Sequence, residues 1–106
     1  MGGRVEPSMR IDTIDRIIHE PARFMLMAHL SVVEEADFVF LMRQTGLSAG
    51  NAGAHLKKLG EAGYVSVSKT FVSNRPQTMF SATEKGLSAL SAYRDVMSGL
   101  LDSISP

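Results

Sequence analysis

The chain has 106 residues, 44% apolar and 21% charged, which is the usage of a single globular domain with one core and excludes a disordered chain. Zero cysteines exclude a disulfide framework, a thiolate nucleophile and any cysteine-based zinc or iron–sulfur site. The net charge is zero but unevenly spread: residues 1–37 sum to −3, residues 38–94 to +5 and residues 95–106 to −2, so an anionic partner would be drawn to the middle of the chain.

Residues 1–9, MGGRVEPSM, show no periodicity and read as a flexible arm or an appended leader, with the folded domain expected over residues 10–106. They lack the apolar core and cleavage site of a secretory signal, and no apolar run approaches the ~20 residues of a membrane helix. This predicts a cytoplasmic protein that makes no membrane contact. Ile11, Ile14, Ile17 and Ile18 recur at helical spacing and Pro21 interrupts them, predicting abutting helices over 11–19 and 21–32. The second, PARFMLMAHLSV, is apolar almost all round and is expected to be the central, buried helix. Asp37 is placed to cap a third helix over 37–45, with Phe38, Leu41, Met42 and Thr45 on one face and Val39 and Phe40 directed elsewhere. Gly46 then ends it in a left-handed turn.

Ser48 caps a fourth helix, about 48–62, whose apolar stripe is Ala52, Leu56, Leu59 and Ala62 and which closes at Gly63. From Tyr64 the period changes to two as far as Val72, SNRPQ reads as a turn, and TMFSA reads as a second strand. Thr83 caps a last helix, about 83–104, with Leu87, Leu90, Tyr93, Met97, Leu100 and Ile104 inward. Two helices joined by a tight Gly-containing turn and followed at once by a hairpin describe a winged helix-turn-helix. The expected class is α+β, mainly α: a winged helix-turn-helix with a two-stranded β-hairpin wing and additional N- and C-terminal helices.

The stretch DFVFLMRQTGLSAGNAGAHLKKLGEAGYVSV, with TMFSATEKG after the hairpin, resembles the winged-helix DNA-binding regulators related to the MarR and ArsR groups. The resemblance covers roughly residues 16–103, and its most specific pieces are TGLS, HLKKLGEAGYV and TEKG. It implies a dimeric transcriptional regulator on double-stranded DNA. The second motif helix would enter the major groove and the wing, about 72–78, would reach the neighbouring backbone or minor groove.

Turning the fourth helix at ~100° per residue sets Gly50, Asn51, Ala54, Lys57, Lys58 and Glu61 opposite its apolar stripe. Asn51 carries a donor and an acceptor and suits an adenine edge; Ser48 and the free N-terminal amides suit a phosphate; Lys57 and Lys58 suit backbone charge. Gly50, Gly53 and Ala54 let the backbone come close. The plainer reading is a surface helix whose polar side chains only confer solubility. Lys69 on the rising strand and Arg75 in the turn are candidates for phosphate or minor groove, against the plain role of charge that keeps a hairpin from aggregating. His55, at the edge of the stripe, either reaches a phosphate or packs as a neutral boundary residue.

Catalysis and metal binding have no scaffold: His19, His29 and His55 lie on three separate elements, and neither a nucleophile elbow nor a Gly-rich phosphate loop occurs. No enzyme activity, cofactor or metal is expected. Leu90, Tyr93, Met97, Leu100 and Ile104 follow the 3, 4 spacing of a helix seam, and with Ile11, Ile14 and Ile18 they are the expected homodimer interface. Two other readings remain open. One is a winged-helix protein-interaction module that uses Val39 and Phe40; the other adds a small-molecule effector enclosed by Met-rich contacts at the dimer interface, against the plainer role of the seven methionines as core filler.

Overall fold

A computed structural model describes residues 10–104, so the arm read at residues 1–9 lies outside the described residues. A 3-10 turn at Ile11–Thr13 leads to helix α1 (Pro21–Leu30), strand β1 (Ala36–Asp37), helix α2 (Phe38–Thr45) and helix α3 (Ala49–Glu61). Strands β2 (Val65–Val72) and β3 (Arg75–Ala82) and helix α4 (Glu84–Ser103) complete the chain. The fold is a winged helix, mainly helical, with an antiparallel sheet in the order β1-β3-β2.

The helix starts follow local chemistry. Asp37, Ser48 and Thr83 each accept a hydrogen bond from the backbone N–H three residues on, at Phe40, Asn51 and Gly86. Between α2 and α3, Gly46 adopts φ 75°, a conformation that favours glycine, and its N–H donates to the Met42 carbonyl. As expected, α1 is central: Leu26, Met27 and Leu30 are buried with Leu41, Leu56, Leu59 and Val65 from α2, α3 and β2.

The N-terminal segment is not the helix that its isoleucines predict. After the 3-10 turn, Asp15 Oδ1 accepts from the Ile17 and Ile18 N–H groups, while Arg23 Nε donates to the Ile17 carbonyl at 2.6 Å. Asp15 Oδ2 accepts from the Tyr64 hydroxyl, also at 2.6 Å. The Asp15 side chain and Arg23 therefore take backbone groups that an α-helix would pair internally, Tyr64 anchors Asp15, and the segment becomes a strap joining α1 to the residues that follow α3. It carries Ile18 to 0% exposure, so Ile18 belongs to the core and not to a subunit interface.

Three further departures matter for function. Strand β1 was not expected; it pairs Ala36 with Phe80 and Asp37 with Met79. The hairpin turn is two residues, Ser73 and Asn74, both at positive φ, so Arg75, Pro76 and Gln77 belong to β3 rather than to a loop. Leu87 and Ile104, expected inward, are exposed, and Gly86 is the one buried residue of α4. No helix among the described residues is long and apolar enough to cross a membrane.

Candidate nucleic-acid interface

Helix α3 is held from behind and free in front. Ala52, Leu56 and Leu59 anchor it in the core, whereas Ser48, Gly50, Asn51, Ala54, Lys57, Lys58 and Glu61 are all exposed. The structure thus gathers the predicted face onto one side of one helix. Among the described residues, a Cβ at Gly50 or Gly53 would meet nothing within 4 Å beyond its own helix and chain neighbours, so tertiary packing gives no reason for glycine at either position. The N-terminal half of the face has no carboxylate and carries the partial positive charge of the helix terminus, while Glu61 sits at the far end. An anion is favoured at Ser48 to Lys58 and opposed beyond.

His55 does not join that face. It is half-buried, with Arg23 Nη1 at 3.2 Å from its Nδ1, a pairing in which the guanidinium donates and the ring nitrogen accepts. Glu20 Oε1, at 3.8 Å, is too far for a hydrogen bond. His55 and Asn51 line an open cavity of about 360 Å³ with Glu20, Pro21, Met25 and Leu47. This geometry is that of a packed boundary residue whose hydrogen-bond partner, Arg23, comes from α1.

The hairpin is fixed to the helices through β3. Asp37, besides capping α2, accepts a hydrogen bond from Gln77 Nε2 at 2.7 Å through Oδ2, tying the start of α2 to β3. Phe80 packs against Phe38 with ring centroids 6.4 Å apart, and Val67 and Phe80 share a groove with Gly53, Lys57, Gly60 and Glu61 of α3. Lys69 and Arg75 are both exposed, but they lie on opposite faces of the ribbon: Lys69 shares a face with Val67 and Phe71, whereas Arg75 pairs with Val72 on the other. The sequence reading missed that Phe71 is solvent-facing. Only the register, which sets Phe71 opposite Pro76 and next to the pair that closes the turn, reveals it.

The residues expected at a dimer seam divide. Leu90 packs against the core cluster, and Tyr93 contacts His19 Nδ1 at 2.8 Å through its hydroxyl and stacks obliquely on Phe24, with centroids 5.7 Å apart. Ile14, Met97 and Leu100 are half-buried, and Ile11 and Ile104 are open to solvent. At the foot of α4 the Thr83 hydroxyl donates to the Gly63 carbonyl at 2.6 Å, and the Thr83 N–H donates to the Tyr64 carbonyl. A Cβ at Gly86 would overlap that same Tyr64 carbonyl, which is why the TEKG motif needs its glycine. Burial, followed by the hydrogen bond and charge of Asp15, pushes the Tyr64 hydroxyl up to about 12. Among the described residues no group of three His, Asp or Glu side chains converges as a metal site would require.

Comparison with known proteins agrees with this geometry. An uncharacterised protein of Methanocaldococcus jannaschii is 33% identical over 78 residues, which cover 74% of this chain and 85% of that protein. The solved structure of a transcriptional regulator homologue from Pyrococcus horikoshii OT3 superposes with a TM-score of 0.81 at 23% identity, over 87% of this chain and 91% of that one. Diamide-treated YodB of B. subtilis gives 0.75 at 14% identity, over 96% and 97%. A MarR family transcriptional regulator from Silicibacter pomeroyi gives 0.66 at 17% identity, over 82% and 57%. The family model that matches residues 22–101 is described as a winged helix DNA-binding domain, and the chain belongs to that family.

Proposed function

We propose that the protein is a transcriptional regulator that binds double-stranded DNA sequence-selectively as a homodimer, with α3 in the major groove and the hairpin on the flanking backbone or minor groove. The observation that carries this reading is the front of α3. Asn51, Lys57 and Lys58 are exposed around glycines that the fold itself does not require, in a chain of the winged helix DNA-binding family. In this arrangement Asn51 pairs with a base edge, while Ser48 and the first free amides of α3 meet a phosphate. Lys57, Lys58, Lys69 and Arg75 neutralise the backbone on either side. The apolar outer half of α4 joins two protomers, and residues 10–106 act as one domain with α4 as its dimerisation helix.

The test is selection of duplexes from a random or genomic pool by the purified protein. Recovery of a recurrent motif is expected. A pool that emerges unenriched, with the protein folded, would contradict the reading and favour a protein-interaction role for the exposed Val39 and Phe40.

A further inference from the structure

Phe71 is 73% exposed although it sits within an ordered ladder, directly opposite Pro76. Stepping back by two along β2 reaches Lys69 and then Val67, and Val67 with Phe80 faces the groove beside α3. Phe71 and Pro76 therefore continue the α3-facing side of the ribbon outward, ~13 Å beyond Val67 at the ordinary rise of a strand. Pro76 is tolerated in β3 because β1 pairs only with residues 79 and 80, leaving the outer edge at residue 76 without a ladder to break.

Charge identifies what this apolar pair meets. The hairpin from Val65 to Ala82 contains Lys69 and Arg75 and no carboxylate; the adjoining helix brings Lys57 and Glu61, whose charges offset, to the groove, so the hairpin's own cations set the sign at the tip. An apolar tip among cations, continuing the side of the ribbon that borders the α3 groove, suits the minor groove, whose phosphate rims are anionic and whose sugar and base walls are apolar. We infer that Phe71, backed by Pro76, is a wedge that packs into the minor groove and bends the duplex, so that the wing reads deformability rather than base edges. This inference rests on the DNA-binding reading above. It assigns the wing its own selectivity, favouring sites whose flanks contain easily unstacked pyrimidine–purine steps.

The wedge has a signature that a cation lacks, because apolar contact releases no counterions. The experiment measures affinity against salt, and bending by circular permutation, on a selected duplex for the unaltered protein, Phe71→Ala, Phe71→Leu and Arg75→Ala. Phe71→Ala is expected to bind roughly tenfold more weakly with an unchanged salt slope and to lose most of the bend. Phe71→Leu keeps most of both, and Arg75→Ala lowers the slope by about one per protomer while keeping the bend. Phe71→Ala with unaltered affinity and bend overturns the wedge alone. A changed sedimentation coefficient for Phe71→Ala without DNA overturns it in favour of contact with a second copy. Failure of the unaltered protein to bind any duplex overturns the functional reading and the wedge with it.

Discussion

Asn51 and Arg75 offer different chemistry to DNA, and the difference is measurable. Asn51 holds a donor and an acceptor on a helix whose position is set by three buried side chains, so Asn51→Ala should cost about 1–3 kcal/mol at one or two base pairs and little elsewhere. Arg75→Ala should weaken all duplexes evenly. Equal losses on every sequence from both variants would reject that division of roles; a binding matrix over single-base variants of the selected site decides it. Gly50 gives a second contrast. Because a methyl group there meets nothing, Gly50→Ala should raise stability by about 0.5–1 kcal/mol in urea unfolding while weakening duplex binding. A gain in stability without loss of binding would show that the backbone does not approach DNA at that point.

Tyr64 adds a pH dependence of known sign. Its hydroxyl titrates near 10 when unfolded and near 12 when folded, so the folded state holds the proton more tightly. The stabilisation is fully present below pH 10 and is lost as pH rises from 10 to 12. Tyr93 is raised in the same direction by burial, so the two must be separated by mutation. Thermal unfolding against pH should show an alkaline decline that is smaller in Tyr64→Phe. An identical decline in that variant would contradict the role of the Asp15–Tyr64 bond.

At the scale of elements, legibility followed the range of the interactions that set each one. The starts of α2, α3 and α4 were readable because Asp37, Ser48 and Thr83 bond to N–H groups three residues away, and Gly46 needs only its own backbone conformation. The strap was not readable. Its isoleucines have helical spacing, but the backbone is decided by Tyr64 and Arg23, 49 and 6 residues from their partners. Strand β1 is two residues long and has no period to detect, and Pro76 made the start of β3 look like a loop. For the candidate site, the α3 face was legible as a helical pattern, whereas the partner of His55 and the exposure of Phe71 depend on tertiary placement. Gly86 is a direct test of the element junctions. In an open helix alanine would gain up to ~1 kcal/mol over glycine, but here the added carbon meets backbone that cannot rotate away. Gly86→Ala should therefore destabilise by about 2–3 kcal/mol in chemical unfolding, and a neutral result would mean that α4 can slide on Tyr64.

The whole molecule is elongated, with a radius of gyration of 16.4 Å against ~13 Å for a compact chain of this length. Its outer α4 leaves Leu101 and Ile104 in solvent and Met97 and Leu100 only half-covered, more apolar surface than one small core uses. In the proposed dimer a second copy, packed two-fold on α4, would cover it. Truncation after Tyr93 keeps the Tyr93 contacts to His19 and Phe24 but removes Met97, Leu100 and Ile104, so analytical ultracentrifugation should find a dimer for the full chain and a monomer or insoluble protein for the truncated one. A full-length protein that stays monomeric at tens of micromolar would contradict the dimer. In the proposed dimer, two-fold symmetry would set the two copies of α3 on half-sites about one helical turn, roughly 10 base pairs, apart.

The most direct test of the central claim is fluorescence anisotropy of the full-length protein on a selected duplex and on its scrambled counterpart, from low to moderate salt. Four cations per protomer, Lys57, Lys58, Lys69 and Arg75, border the proposed interface. If most of them meet phosphates in a dimer, log affinity should fall against log salt with a slope of about −4 to −7, and the selected duplex should be preferred by a factor of ~10³ or more. A flat salt response, or equal affinity for the selected and scrambled duplexes, would contradict the account.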